Sequence, residues 1–170
     1  PPPPSGVSFG ALGVAGLASL GAGAIHAAAI GGHNEHRSVV ITFAVLASFQ
    51  LAWGAAAVSL RQPSAWFLAL GIVGNAAAIA GWVLAKTTGI SFIAGMEEAE
   101  EIQWADGVAA ALATVAVLLA VRTLLVGGRS PATAARGVLL PVTAIPIAII
   151  TLSSMVAATS VKFRIESPAS

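Results

Sequence analysis

The sequence predicts an all-α fold, a polytopic transmembrane bundle of about five membrane-spanning helices, and three observations predict it. Of the 170 residues 57% are hydrophobic and only 9% are charged, with a mean hydropathy of +0.91, a mix far from that of a soluble domain. Five stretches reach the roughly 20 apolar residues with which a helix crosses a hydrocarbon core about 30 Å thick, almost without internal charge. The connections between them are short, so a single helical bundle accounts for nearly the whole chain and leaves no separate soluble domain.

The predicted spans are Val7–Ile30, Val39–Leu60, Ala65–Lys86, Ile102–Val126 and Val138–Val161. Residues 1–6, PPPPSG, cannot continue a helix and read as an extended N-terminal tail. The bundle then occupies residues 7–162, and residues 163–170 form a C-terminal tail.

Helix 1 places Ala11, Ala15, Ser19, Gly23, Ala27 and Gly31 at four-residue spacing, a stripe of small side chains that lets a neighbouring backbone approach closely. Gly31-Gly32 ends this helix with a left-handed turn, and Asn34 or Ser38 is available as the N-cap of helix 2. Helix 2 carries Gln50 and Trp53, and helix 3 carries Gly71, Gly74, Asn75, Gly81 and Trp82. The Gln50 and Asn75 amides lie near mid-membrane, where an unpaired amide is costly, so they are expected to bond each other as interhelical packing groups.

The longest polar segment, KTTGISFIAGMEEAEEIQWAD, separates helices 3 and 4. Its apolar Ser91 to Met96 portion is expected to rest against the bundle or lie in the interface, and Glu97 to Glu101 to open helix 4, where acidic side chains suit the positive end of the helix dipole. Trp66 and Trp104 read as interfacial anchors. Pro141 and Pro146 are expected to kink helix 5.

Arg61 follows helix 2, and Arg122, Arg129 and Arg136 follow helix 4, with no acidic residue in either connection. The positive-inside rule makes these loops cytoplasmic and the opposite face extracytoplasmic in a bacterial cytoplasmic membrane. Odd-numbered connections of a bundle share a face whichever way it is oriented. All three histidines, His26, His33 and His36, therefore emerge beside Glu97, Glu98, Glu101 and Asp106.

Imidazole and carboxylate are ligand types suited to transition metals, and the absence of Cys removes thiolate ligands. A site built from His26, His33 and His36 with Glu97, Glu98, Glu101 or Asp106, holding copper or zinc, is one reading. A hydrogen bond between His26 and Asp106 in a structural polar network is another, and proton handling a third. His-x6-His-x2-His is not a specific signature. Haem is not expected, because only His26 lies within a span. Nor is a nucleotide, since no glycine-rich phosphate loop is present, and no nucleophile–base pair argues for catalysis. The eight scattered Lys and Arg residues argue against a nucleic-acid partner.

The succession of His26, His33 and His36, then Gln50-Leu51-Ala52-Trp53, Gly74-Asn75, Trp82 and Lys86-Thr87-Thr88-Gly89, then a glutamate and Asp106, resembles a family of small multi-pass membrane proteins of high-GC bacteria. The resemblance spans roughly the first four helices. It implies a polytopic bundle with a recurring His/acid set, and it transfers no substrate; helix 5 departs from the family's four-helix form. The expected role is an accessory subunit of a larger membrane complex, a metalloenzyme or respiratory assembly, contacting other membrane subunits and lipid. The alternatives are a small oligomeric transporter or channel and a purely structural membrane subunit.

Overall fold

The computed structural model describes residues 10–33, 35–126 and 151. Among these residues the fold is all-helical: α1 (Ala11–Ala29), continued by a 3-10 turn at Ile30–His33, α2 (Arg37–Ser59), α3 (Ala65–Thr87) and α4 (Trp104–Val126). Each is long and apolar enough to cross a membrane. At 23 residues, α2, α3 and α4 are each about 35 Å long at 1.5 Å per residue, matched to a hydrocarbon core of about 30 Å. Apart from Thr151, which is helical and buried, the expected fifth span and its two prolines lie outside the described residues.

The helices form a bundle in which α1 packs on α2 and α4, α4 packs on α3, and α2 and α3 meet sparsely. Large apolar side chains such as Val45, Val73, Leu118 and Leu125 stand exposed on α2, α3 and α4, a distribution suited to lipid rather than water. The interior is arranged in three levels. Ala18, Ala22 and Ile25 of α1 pack on Ala109, Leu112 and Ala116 of α4 along the middle. Leu12, Ala15, Trp53, Ala57, Leu68 and Ala120, drawn from all four helices, close one end. Val39, Ala85, Ile90 and Met96 form a third cluster toward the other.

The small-residue stripe of α1 is buried at Ala15, Ser19 and Gly23, while Ala27 and Gly31 are exposed. The tightest helix crossing lies one residue off the stripe. A Cβ at Gly16 would stand 2.7 Å from the Gly54 carbonyl oxygen of α2, and a Cβ at Gly54 would stand 2.7 Å from that of Gly16. Only glycine at both positions permits this backbone contact.

Three local expectations are corrected. Gly31 and Gly32 do not take a left-handed turn; the chain tightens into the 3-10 turn, and positive φ occurs instead at Gly89 (73°) and Gly95 (90°). His36, not Ser38, is the N-cap of α2 and makes no side-chain cap bond, while the Ser38 hydroxyl donates to the Ala94 carbonyl across the shared face; Asn34 lies outside the described residues. Helix 4 starts at Trp104, so Glu97 to Glu101 lie in the connection and Asp106 is the acidic residue of its first turn.

That connection is a folded cap. Ile90 N–H donates to the Met96 carbonyl and Glu100 N–H to the Ala85 carbonyl, with Ile90 and Met96 buried beneath. The expectation that Ser91 to Met96 rests on the bundle thus holds for its apolar inward residues, whereas Phe92 is 84% exposed. Trp66 and Trp104 are 86% and 68% exposed, as interfacial residues at helix starts should be.

Candidate functional site

The gap between α2 and α3 determines where a site can form. Toward the closed end it is filled, because Phe49 and Trp53 of α2 press against Gly74 and Gly71 of α3, where an added Cβ would overlap their rings. Trp53 is fixed there by its indole N–H, which donates to the Phe67 carbonyl at 3.0 Å. Two turns further along α3, Gly81 meets nothing within 4 Å of an added Cβ. The gap opens there into a cavity of about 370 Å³, within the usual range for small-molecule pockets, about 300 to 1,000 Å³.

His26 and His33 line this cavity with Phe43, Trp82, Lys86 and Asp106, and apolar residues such as Leu46, Ala85 and Ile90 complete much of the wall. The shared-face argument is borne out in this respect: the first and third connections meet, and His36 packs against Gly95 while Ser38 bonds Ala94.

The partners differ from those expected. Asp106 pairs with Lys86, whose ammonium lies 2.6 Å from the Asp106 carboxylate. The same ammonium is 3.0 Å from the Glu100 carboxylate and 2.9 Å from the Glu101 carbonyl, so its three N–H donors have three acceptors. The Lys86 side chain is only 6% exposed. This node joins the end of α3, the cap and the start of α4.

His26 bonds inward. Its Nδ1 lies 2.7 Å from Gln50 Oε1, and Gln50 Nε2 donates to Asn75 Oδ1 at 3.2 Å, which is the mutual amide bond expected at mid-membrane. Asn75 Nδ2 donates to the Gly71 carbonyl at 3.0 Å. The Ser19 hydroxyl donates its single proton to the Gln50 carbonyl at 3.0 Å and stands 3.4 Å from Asn75 Oδ1. The direction of the chain is fixed from its far end. A backbone carbonyl only accepts, so Asn75 must present nitrogen to Gly71 and oxygen to Gln50; Gln50 then presents oxygen to His26, and His26 carries its proton on Nδ1.

Ser19, Gln50 and Asn75 are fully buried, and beyond Ser19 lies the apolar cluster around Leu12, Trp53 and Ala120. Among the described residues of α1 to α4, polar side chains thus lead from the cavity to the middle of the bundle and no further.

The remaining candidates stand apart. His33 Nδ1 donates to the Ala29 carbonyl at 3.0 Å, and its ring lies 5.1 Å from Phe43. His36, Glu97, Glu98 and Glu101 are exposed and do not line the cavity. Glu97 accepts the Gly95 N–H at 2.8 Å; backbone N–H groups, its own first, hold its carboxyl below the usual value. Among the described residues no three His, Asp or Glu side chains gather closely enough to hold a metal ion.

Sequence reasoning missed Lys86, Glu100 and Trp82 as wall residues. Lys86 ends its predicted span, where a lysine reads as one that reaches toward the interface. The Trp82 indole nitrogen is buried and has no hydrogen-bond partner among the described residues. Comparison of the chain with known protein families, with curated proteins and with solved structures found no match.

Proposed function

We propose that this chain is a non-catalytic accessory subunit of a larger membrane assembly, one that presents a ligand cavity at a single membrane face. The observation that carries this reading is the dead end at Ser19. A transport path through one copy needs polar groups or space to continue across the bundle, whereas Leu12, Ala15, Trp53, Ala57, Leu68 and Ala120 pack into an apolar closure. A site open at one end binds and holds; it does not conduct. The arginine-bearing connections support an outward-facing cavity.

A transition metal is the second reading: His26, His33 and Asp106 line one cavity, although they do not gather closely enough to hold an ion as they stand. It requires Asp106 to exchange its Lys86 contact for the ion.

Purification from native membranes in mild detergent tests the first reading. The expected result is a stoichiometric membrane partner, and a homogeneous lone monomer contradicts it. Copper or zinc retained by wild type and lost in His26→Ala supports the second, and metal-free protein after equilibration with either ion removes it. Solute flux above that of empty proteoliposomes overturns the dead-end argument.

A further inference from the structure

The groups that the fold leaves unused on the cavity wall are mainly acceptors. His26 Nδ1 donates to Gln50 and His33 Nδ1 to the Ala29 carbonyl, so each neutral imidazole carries its lone pair on Nε2. No hydrogen bond among the described residues uses either Nε2, and neither nitrogen is sealed from solvent. The Glu35 carboxylate, exposed and unpaired among the described residues, stands on the same wall, and the Gln103 side-chain amide adds an oxygen that accepts.

Charge points the same way. Lys86 is the one lysine or arginine among the described residues of the wall, against the three carboxylates of Glu35, Glu100 and Asp106. One positive charge against three negative ones leaves the wall two charges negative when the imidazoles are neutral. A cleft of one sign between low-dielectric walls concentrates ligands of the other, so an anion is repelled and a cation drawn in.

The layout along the bundle axis restricts the cation. Glu35 and His33 stand in the first connection, at the membrane face, whereas Leu46 and Ala78 lie more than two turns inside α2 and α3. Between these levels Phe43, stacked on His26 with ring centroids 5.7 Å apart, and Trp82 supply aromatic surface, which suits apolar groups and cations alike. A bare metal ion leaves that apolar depth unfilled, and among the described residues no three His, Asp or Glu side chains gather closely enough to hold one.

We infer that the cavity binds a protonated amine with an apolar body, its ammonium at the mouth toward Glu35 and the two imidazoles, and its body on the apolar floor. An ammonium only donates, which matches lone pairs and carboxylates, and its charge strengthens each bond. This inference rests on the cavity being a binding site, and it names the chemistry of the ligand.

The test is binding of 4-phenylbutylamine and of 4-phenylbutanol, which share a skeleton and differ in the head, to the full-length protein in phosphatidylcholine nanodiscs. Empty nanodiscs are subtracted for partitioning, and at about pH 8 the amine is charged while an ordinary imidazole is neutral. Wild type should bind the amine about tenfold more tightly than the alcohol, because charge-assisted bonds are roughly twice as strong as neutral ones. Glu35→Gln, at an exposed and unbonded side chain, should weaken the amine about threefold and leave the alcohol unchanged. Gly81→Leu, built into open space on the wall, should abolish saturable binding of both. Wild type binding the alcohol as tightly as the amine overturns the ammonium assignment and leaves the cavity a binding site. An amine preference that survives whole in Glu35→Gln contradicts the placement of the head, and amine binding unaltered in Gly81→Leu lies outside the cavity and overturns the inference. Absence of saturable binding of either compound overturns the inference and the binding site together.

Discussion

The ammonium of Lys86, near the end of α3, lies 2.6 Å from the carboxylate of Asp106 in the first turn of α4, with Glu100 at 3.0 Å from the same nitrogen. Removing the cation leaves two carboxylates facing each other, whereas removing Asp106 leaves Lys86 still paired with Glu100. Lys86→Met should therefore destabilise the bundle by about 2 kcal/mol or more, and Asp106→Asn by about 1 kcal/mol, both reduced by the partial exposure of the carboxylates. Thermal or denaturant unfolding in detergent checks the order, and an Asp106→Asn protein less stable than Lys86→Met contradicts the three-acceptor arrangement.

The chain from His26 through Gln50 and Asn75 to Gly71 acts as a unit. Gln50→Leu and Asn75→Leu should each cost about 1 to 2 kcal/mol, since each orphans a buried partner. The double variant should cost less than the sum, because the second substitution removes a group the first has already stranded. A double-mutant cycle measures this, and strict additivity contradicts a connected chain.

Glycines divide by what faces them. Gly16→Ala sets a Cβ 2.7 Å from the Gly54 carbonyl and must part α1 from α2, costing about 1 to 3 kcal/mol. Gly81→Ala meets open space and should instead stabilise, by up to about 1 kcal/mol of helix propensity. Unfolding curves of the two proteins should shift in opposite directions.

The Glu97 carboxyl, held below its usual value by backbone N–H groups, has an explicit pH consequence. A depressed folded-state value means that the carboxylate's contribution to the Gly95–Glu97 turn is complete above the ordinary value of 4.5 and is lost as pH falls through the lower folded value. Hydrogen exchange at the Gly95 amide, corrected for the intrinsic pH dependence, should lose protection over that acid window and lack it throughout in Glu97→Gln.

How much of this was legible in the sequence depends on the physical signal involved. Length and hydropathy suffice for a membrane helix, so the boundaries of α2, α3 and α4 fall within a few residues of their predicted spans. The Gln50 and Asn75 bond was legible because two amides at one depth have few other partners. The start of α4 was not, since a run of glutamates suits a helix N-terminus and an exposed cap equally well. The Lys86 node was hidden for a related reason: a lysine near a span end reads as one that reaches toward the interface. The cavity was hidden most deeply. Gly71, Gly74 and Gly81 are identical as letters, and only the neighbours brought by α2 make the first two receptors for rings and the third an opening.

On the proposed reading the cavity opens to one membrane face, while the opposite end is closed among the described residues by the cluster around Leu12, Trp53 and Ala120. The chain contains no cysteine, so single substitutions report accessibility without background. Gly81→Cys and Ala57→Cys proteins in oriented vesicles, treated with a membrane-impermeant thiol reagent from each side in turn, test it directly. Labelling of Gly81→Cys is expected from the histidine-bearing side alone and of Ala57→Cys from neither; labelling of either protein from both sides would contradict this arrangement.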